Sequence, residues 1–466
     1  MRHLSAALAL TFLAAAPANA QTPGEAAFRA MFKEMVETDT SAATGNCTTL
    51  VEKVSARMAA AGFPQTGLHL FIPPSDPKAG ALVAVYPGTD PQAKAVLMLG
   101  HIDVVNARRE DWTRDPFVLV EENGEFYGRG VSDMKAQDAI WADTLVRFHQ
   151  EGYRPRRTVK MALTCGEEGG GFLNGAGWLA QNQRDLIDAG LALTEGGGGE
   201  LDESGKKLAV TVMAAEKDIA AFVLEVTNRG GHSSRPRPDN AIYTLARALD
   251  RLSRLEFPAT FNAANRPYFT GMSQVVGGAD AEAMKTLLAR PDDKGALAVL
   301  NRSVAYHAML GTTCIPVLLD AGHAGNAQPQ RARATINCRM LPGEPVGGVK
   351  AAIAGAVADP KVTVIGGDRP ATKPLAPPLT PAFLDPITTV AAEVYPGLPV
   401  LPMQETFGTD SGRLIAVGIP TYGVSGLFRG PDQGNIHGLN EHIGVRSVME
   451  GREFLYRLIK AYAEQE

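Results

Sequence analysis

The chain predicts an α/β fold with a second, α+β unit inserted into it, on three observations. The continuous apolar run at 95–99 has the pattern of a strand buried on both faces of a sheet, and 158–164 reads as another buried strand. Stretches with helical apolar spacing fall between such runs, which argues for a sheet layered with helices. After Gly205 the composition changes, and a proline-rich stretch at 371–381 resembles a linker back to the first pattern.

The elements follow in order. Residues 25–61 read as helical, with Phe28, Met31, Phe32 and Met35, then Leu50, Val54 and Met58, at helical spacing and a break at Thr44-Gly45-Asn46. Strands are expected at 82–86 and 95–99, a helix at 133–150, a strand at 158–164, a helix at 173–181 and a strand at 191–194. In the middle region 210–213, 220–226 and 331–340 read as strands, 239–255 as a strongly amphipathic helix, and 281–310 as an extra helical piece. Helical patterns resume at 383–393 and 411–417. The expected division is a processing segment at 1–20, one α/β domain in two parts at 21–215 and 369–466, and an inserted α+β unit at 216–368.

Composition narrows the function. Lys plus Arg number 45 against 50 Asp plus Glu, and no basic run is long enough to track a phosphate backbone, so no nucleic acid partner is expected. Met1-Arg2-His3, the apolar run 4–16 and Ala18-Asn19-Ala20 fit a secretory signal cleaved after Ala20, which predicts a secreted or periplasmic protein. That run is too short to span a bilayer, and no later segment offers 18 uninterrupted apolar residues. The four cysteines, Cys47, Cys165, Cys314 and Cys338, contain no CxxC pair, and their connectivity cannot be read from the sequence. A metal would therefore be held by histidine and carboxylate.

Five segments carry such residues. In Gly100-His101-Ile102-Asp103, alternation at a strand end puts His101 and Asp103 on one side, where Asp103 can orient His101 by accepting its other ring N–H. Gly128-Arg129-Gly130-Val131-Ser132-Asp133 delivers Asp133 to a helix start, as a helix cap or as a carboxylate between two cations. Cys165-Gly166-Glu167-Glu168-Gly169 sets two carboxylates in a turn after a strand, so that one can bind metal while the other moves a proton. Thr194-Glu195 followed by glycines repeats the strand-then-acid arrangement. His437 sits in Asn435-Ile436-His437-Gly438-Leu439-Asn440-Glu441. Together His101, Asp133, Glu168, Glu195 and His437 are a donor set suited to zinc, with cobalt or manganese feasible, and to two ions sharing one carboxylate.

With Gly230-Gly231-His232-Ser233-Ser234, these motifs resemble, in order and over nearly the whole chain beyond the signal, the M20 family of co-catalytic zinc peptidases. The resemblance implies a di-zinc exopeptidase-like catalytic domain carrying an inserted lid or dimerisation domain. It implies two Zn2+ per chain, one held by His101 and Glu195, the other by Glu168 and His437, with Asp133 bridging. Glu167 becomes the general base toward a metal-bridging water. His232 matches a lid histidine that reaches a neighbouring active site and stabilises the oxyanion, which implies a homodimer. Asn326 and Arg339 match contacts to a substrate carboxylate, and Gly408 and Thr409 line the same pocket. The expected activity is cleavage of an amide beside a free carboxylate, of carboxypeptidase or dipeptidase type. The alternatives are an N-acyl-amino-acid amidohydrolase, an aminopeptidase or a catalytically silent binding protein. Asn106, where many members have proline, the glycines after Glu195 and the long middle region depart from the common pattern and bear on specificity.

Overall fold

The computed structural model describes residues 23–367 and 377–466. The expected signal segment, the boundary at 368–369 and most of the proline-rich stretch lie outside them.

The opening helices are Glu25–Val36 and Cys47–Ala60, separated at the expected break. Asn46 starts the second, its side-chain oxygen accepting from the Thr49 amide at 3.2 Å, which satisfies one of the free donors of a helix N-terminus. At the centre of a ten-stranded sheet, Val159–Thr164, Val96–His101, Leu191–Thr194 and Thr421–Gly423 lie side by side and parallel. Side chains along Val96–His101 alternate between two cores. Val96 and Met98 meet helices Glu25–Val36, Cys47–Ala60, Lys135–Gln150 and Val445–Ala463, while Leu97 and Leu99 meet Gly175–Asn182 and Ser411–Ile415. Both faces being covered, the strand is apolar up to its last residue, His101. Because the strands are parallel, the residues at their carboxyl ends emerge along one rim: His101, the turn after Thr164 and Glu195.

The chain changes sheets at Lys217. Strand Lys207–Glu216 is buried over most of its length and runs parallel to Val400–Glu405 in the larger sheet. Strand Asp218–Thr227 alternates buried with open positions and joins a four-stranded sheet ordered Thr313–Ala321, Arg331–Met340, Asp218–Thr227, Thr363–Gly366. Residues 210–213, grouped above with the region after Gly205, thus belong to the larger sheet. In the smaller one, Phe222, Leu224 and Val226 face helices Ala241–Leu252 and Val346–Val357, and the outer strand leaves Ile315, Leu318 and Leu319 exposed.

The extra helical piece is four helices, Arg266–Val275, Gly278–Ala289, Lys294–Leu300 and Val304–Leu310. Sequence order assigns it to the inserted unit, but its packing does not. Phe269, Met272, Met284 and Leu287 share a core with Ala209, Leu401 and Met403 of the larger sheet. The apolar faces of these helices find their partner there, which overrides their place along the chain.

Two disulfides form. Cys47–Cys165 ties the start of a helix to the residue two before Glu167, and Cys314–Cys338 joins facing residues of the two strands at one edge of the smaller sheet. No helix among the described residues is long and apolar enough to cross a membrane.

Candidate metal centre

Helix Lys135–Gln150 has no side-chain cap, and the two Asp133 oxygens face different histidines: Oδ1 lies 3.1 Å from His101 Nε2 and Oδ2 3.1 Å from His437 Nε2. Glu168 Oε1 lies 2.8 Å from His437 Nε2, and Glu195 Oε1 lies 3.6 Å from His101 Nε2. The five residues singled out by type and spacing are thus brought together. His101 is buried, while the His437 side chain remains 50% exposed.

The set fits divalent cations. Donors each about 2 Å from one ion lie roughly 3 Å from each other, as these do, and donor atoms of His101, Asp133 and Glu168, and of His101, Glu167 and Glu195, fall within 4.8 Å of one another. The charge distribution agrees. Although burial disfavours its charge, His101 is held well above its ordinary value by Glu195 and Asp133, and hydrogen bonds to Asp133 and Glu168 push His437 up to about 10. Against the effect of burial, the same two histidines hold Asp133 below the usual carboxylate range. Protons on the histidines here supply the positive charge that the carboxylates require. A bound metal would displace them.

Glu167 differs from its neighbour. Among the described residues its carboxylate accepts no hydrogen bond, and burial, reinforced by Glu195, Asp410 and Glu168 against the pull of His101, pushes it up to about 9. A part-buried carboxyl close to the cluster and without a hydrogen-bond partner is placed to carry a proton. Its turn is built locally. Gly166, at φ 87°, supplies a conformation that L side chains rarely adopt, and a Cβ there would lie 2.4 Å from the Leu173 carbonyl oxygen.

Asp103 does more than orient His101. His101 Nδ1 meets the Asp103 carbonyl oxygen at 3.1 Å, with the carboxylate farther off at 3.7 Å. The carboxylate accepts instead from the Glu167 and Glu168 amides at 3.3 and 3.0 Å, fixing the turn that presents both acids.

Sequence reasoning gave no role to several residues that hold the site. Glu441 is buried and accepts from the amides of Gly130, Ser132 and Asp133 and, at 2.7 Å, from Arg129 Nη1. Arg129 Nη2 donates in turn to the Gly438 carbonyl at 2.9 Å. The Arg129–Glu441 pair therefore joins the loop of Asp133 to the loop of His437. His437 has a φ of 63°, a conformation of low population for a non-glycine residue that persists only where its surroundings enforce it. Arg429 donates to the Ser132 hydroxyl and carbonyl at 2.8 and 2.9 Å. The available signal was position: Arg129 and Glu441 stand inside motifs whose other residues already had roles.

The cluster opens into a cavity of about 1760 Å³, lined also by Arg339, Gly408 and Thr409. Thr409 directs its amide and hydroxyl to Glu216, so it shapes the wall and has no donor left for a ligand. Asn326 and His232 do not line it. They lie together on the smaller sheet's side, exposed, where Gly231–His232 pairs with Ala327–Gln328 and the Asn326 carbonyl accepts from Ser233. The Ser234 amide donates to His232 Nδ1 at 3.1 Å, which leaves the proton of a neutral ring on Nε2.

Comparison with known proteins agrees with this geometry. The model of the peptidase family M20/M25/M40 matches residues 97–461. The N-fatty-acyl-amino acid synthase/hydrolase of Mus musculus is 27% identical over 398 residues, covering 80% of this chain and 75% of that protein. Aminoacylase-1B of Rattus norvegicus is 24% identical, covering 82% and 83%. The solved M20 family metallo-carboxypeptidase Sso-CP2 from Sulfolobus solfataricus superimposes with a TM-score of 0.67 at 18% identity, over 94% of this chain and 99% of that one. With a family model spanning both the His101 strand end and the His437 loop, this chain belongs to the peptidase family M20/M25/M40 and is one of its hydrolytic enzymes.

Proposed function

We propose that this protein is an exported zinc-dependent hydrolase that cleaves the amide between an acyl group and an amino acid with a free carboxylate. The observation that carries this reading is the pairing, in one cavity, of the His–carboxylate cluster and unpaired Glu167 with the guanidinium of Arg339. His101 and Glu195 would hold one cation, Glu168 and His437 the other, with Asp133 shared. Bound there, the cations supply Lewis acidity and lower the pKa of water. Glu167 takes a proton from the attacking water and returns it to the leaving amine. Arg339 receives the carboxylate through the two-pronged geometry of its guanidinium, which sets the register of the scissile bond.

Two features favour an N-acyl amino acid over a dipeptide. The cavity exceeds the roughly 300–1,000 Å³ of ordinary small-molecule sites, and it extends to the four-helix layer, where Val276, Val299, Tyr306 and Met309 offer apolar surface to an acyl chain among the polar groups of Asp280, Arg302 and Ser303. The two relatives above are named for work on N-fatty-acyl amino acids and as an aminoacylase. The carboxypeptidase reading has the support of a relative named as a probable carboxypeptidase S-like protein of Dictyostelium discoideum, 25% identical over 82% of this chain, and of the fold shared with Sso-CP2.

His232 completes the site across a homodimer, its Nε2 proton serving the developing oxyanion. The exposed apolar strand Thr313–Ala321 offers the edge through which two copies join. The 21–215, 216–368 and 369–466 division then assigns chemistry to the outer parts and assembly to the insert. The disulfides fit an oxidising compartment and so the export signal.

Hydrolysis of dipeptides and N-acyl amino acids of increasing acyl length, with zinc, with cobalt and after chelation, tests the reading. Metal-dependent release of a free amino acid, faster from long-chain acyl substrates, is expected. Release unaffected by chelation, or from dipeptides alone, contradicts it.

A further inference from the structure

Arg339 projects from strand Arg331–Met340 into the cavity and, among the described residues, pairs with no carboxylate. Its cross-strand partners are Ile219 on one side and Thr313 on the other. Directly opposed residues project from the same face of a sheet with Cβ atoms about 4.5–5.5 Å apart, so the Ile219 side chain stands beside the root of the guanidinium. Ile219 lines the cavity and Thr313 does not, so the space beyond Arg339 continues on the isoleucine side.

That space has an apolar wall and a glycine at its edge. Phe407 lines it, and at Gly408 a Cβ would lie 3.6 Å from Ile219 Cδ1. Ile219 is 43% and Phe407 38% exposed, and both line the cavity. Large apolar groups left to water inside a binding cavity are stabilised when an apolar ligand group covers them. Of the nearby charged groups, Glu216 accepts from Thr409 and Ser411, and Lys217 Nζ donates to the Gly311 carbonyl, so both are held by the protein's own groups.

We propose that Ile219 and Phe407, with Gly408 beside them, form the pocket for the side chain of the amino acid whose carboxylate Arg339 holds. The enzyme then selects N-acyl derivatives of amino acids with leucine-, methionine- or phenylalanine-like side chains. This rests on the role given to Arg339 above. Carboxylate and side chain leave the same Cα, so anchoring one at Arg339 confines the other to its immediate neighbourhood.

The test is a matched series of N-acetyl amino acids differing only in the amino acid: leucine, methionine and phenylalanine against glycine, aspartate and lysine. The wild-type enzyme should favour leucine over glycine in kcat/KM by about 10–100-fold, the range that hydrophobic pockets achieve. Ile219→Ala and Phe407→Ala should each shrink that ratio by about tenfold. A wild-type ratio near one, a preference for aspartate or lysine, or an unchanged ratio in both variants overturns the proposal. Calorimetric binding of N-acetyl-leucine and N-acetyl-glycine to metal-loaded protein decides the matter even if the whole panel is left intact and the reading of the reaction fails. Tighter binding of the leucine derivative, weakened in Ile219→Ala, supports the pocket, and equal binding overturns it.

Discussion

The two sheets hold their polar residues in opposite ways. At the rim of the larger sheet, charge is buried or nearly so and several groups are engaged: Asp133 between two histidines, Asp103 under two amides, Glu441 with Arg129 and three backbone donors, while buried Asp138, beside Gly100, has no hydrogen-bond partner among the described residues. The smaller sheet has helices on one face, an uncovered apolar edge, and ion pairs at its surface such as Arg333–Glu225. Charge held by such partners positions atoms for chemistry. Open apolar surface is stabilised when something else covers it, which is why the proposed assembly is assigned to the smaller sheet.

The largest effect should come from removing the link between loops. Glu441→Ala leaves Arg129 buried and unpaired and should cost about 3–5 kcal/mol in urea unfolding, with loss of metal. Glu225→Ala, at the surface of the smaller sheet, should cost no more than about 1 kcal/mol. Equal costs would erase the contrast between the sheets.

His232→Ala should lower kcat by about 10²–10³, the usual worth of one oxyanion donor, with metal content unchanged. Mixing it with Glu167→Gln should restore activity if His232 acts across a dimer, because one hybrid site regains both groups. Absence of rescue in a mixed dimer would refute that arrangement.

Replacing Cys47 and Cys165 with serine should destabilise by about 2–4 kcal/mol and also slow turnover, since that bridge ends beside the Glu167 turn. The Cys314–Cys338 pair closes a loop of 24 residues, not 118, and on loop-closure entropy should cost about 1 kcal/mol less and leave kcat/KM intact. Thermal melts and turnover of the two double variants make the comparison.

A smaller effect comes from Glu200. Burial raises it to about 7, helped by the charge of Glu405 and opposed by the Tyr268 hydroxyl. The native state therefore keeps this proton at a pH where the unfolded chain releases it. The stability it contributes is full below the ordinary carboxyl value and lost as pH rises through about 7. Between pH 5 and 8 the wild type should lose about 1–3 kcal/mol more than Glu200→Gln; parallel pH profiles would show that the group titrates normally.

What the sequence revealed followed from what local pattern can encode. The central strands showed as short, largely apolar runs, and their shared carboxyl rim is why His101, Glu168 and Glu195, spread over about a hundred positions, were recognisable as one set. The four helices between Arg266 and Leu310 were visible as helices but not as a layer on the larger sheet, because a helical face does not name its partner. The disulfide pairing depended on the same long-range packing. Glu441 and Arg129 were in view without a role, since a carboxylate that positions a loop looks, in sequence, like any other. His232 was visible too, and its exposure outside the cavity is the feature that only coordinates supply.

The central claim is that Glu167 moves the proton while the five neighbouring side chains hold metal, and Glu167→Gln tests it most directly. Metal content per chain and kcat on one N-acyl amino acid should be measured on the same preparation. The account predicts unchanged metal and a kcat lowered by about 10²–10⁴. A variant that keeps its metal and turns over at near the wild-type rate would contradict it.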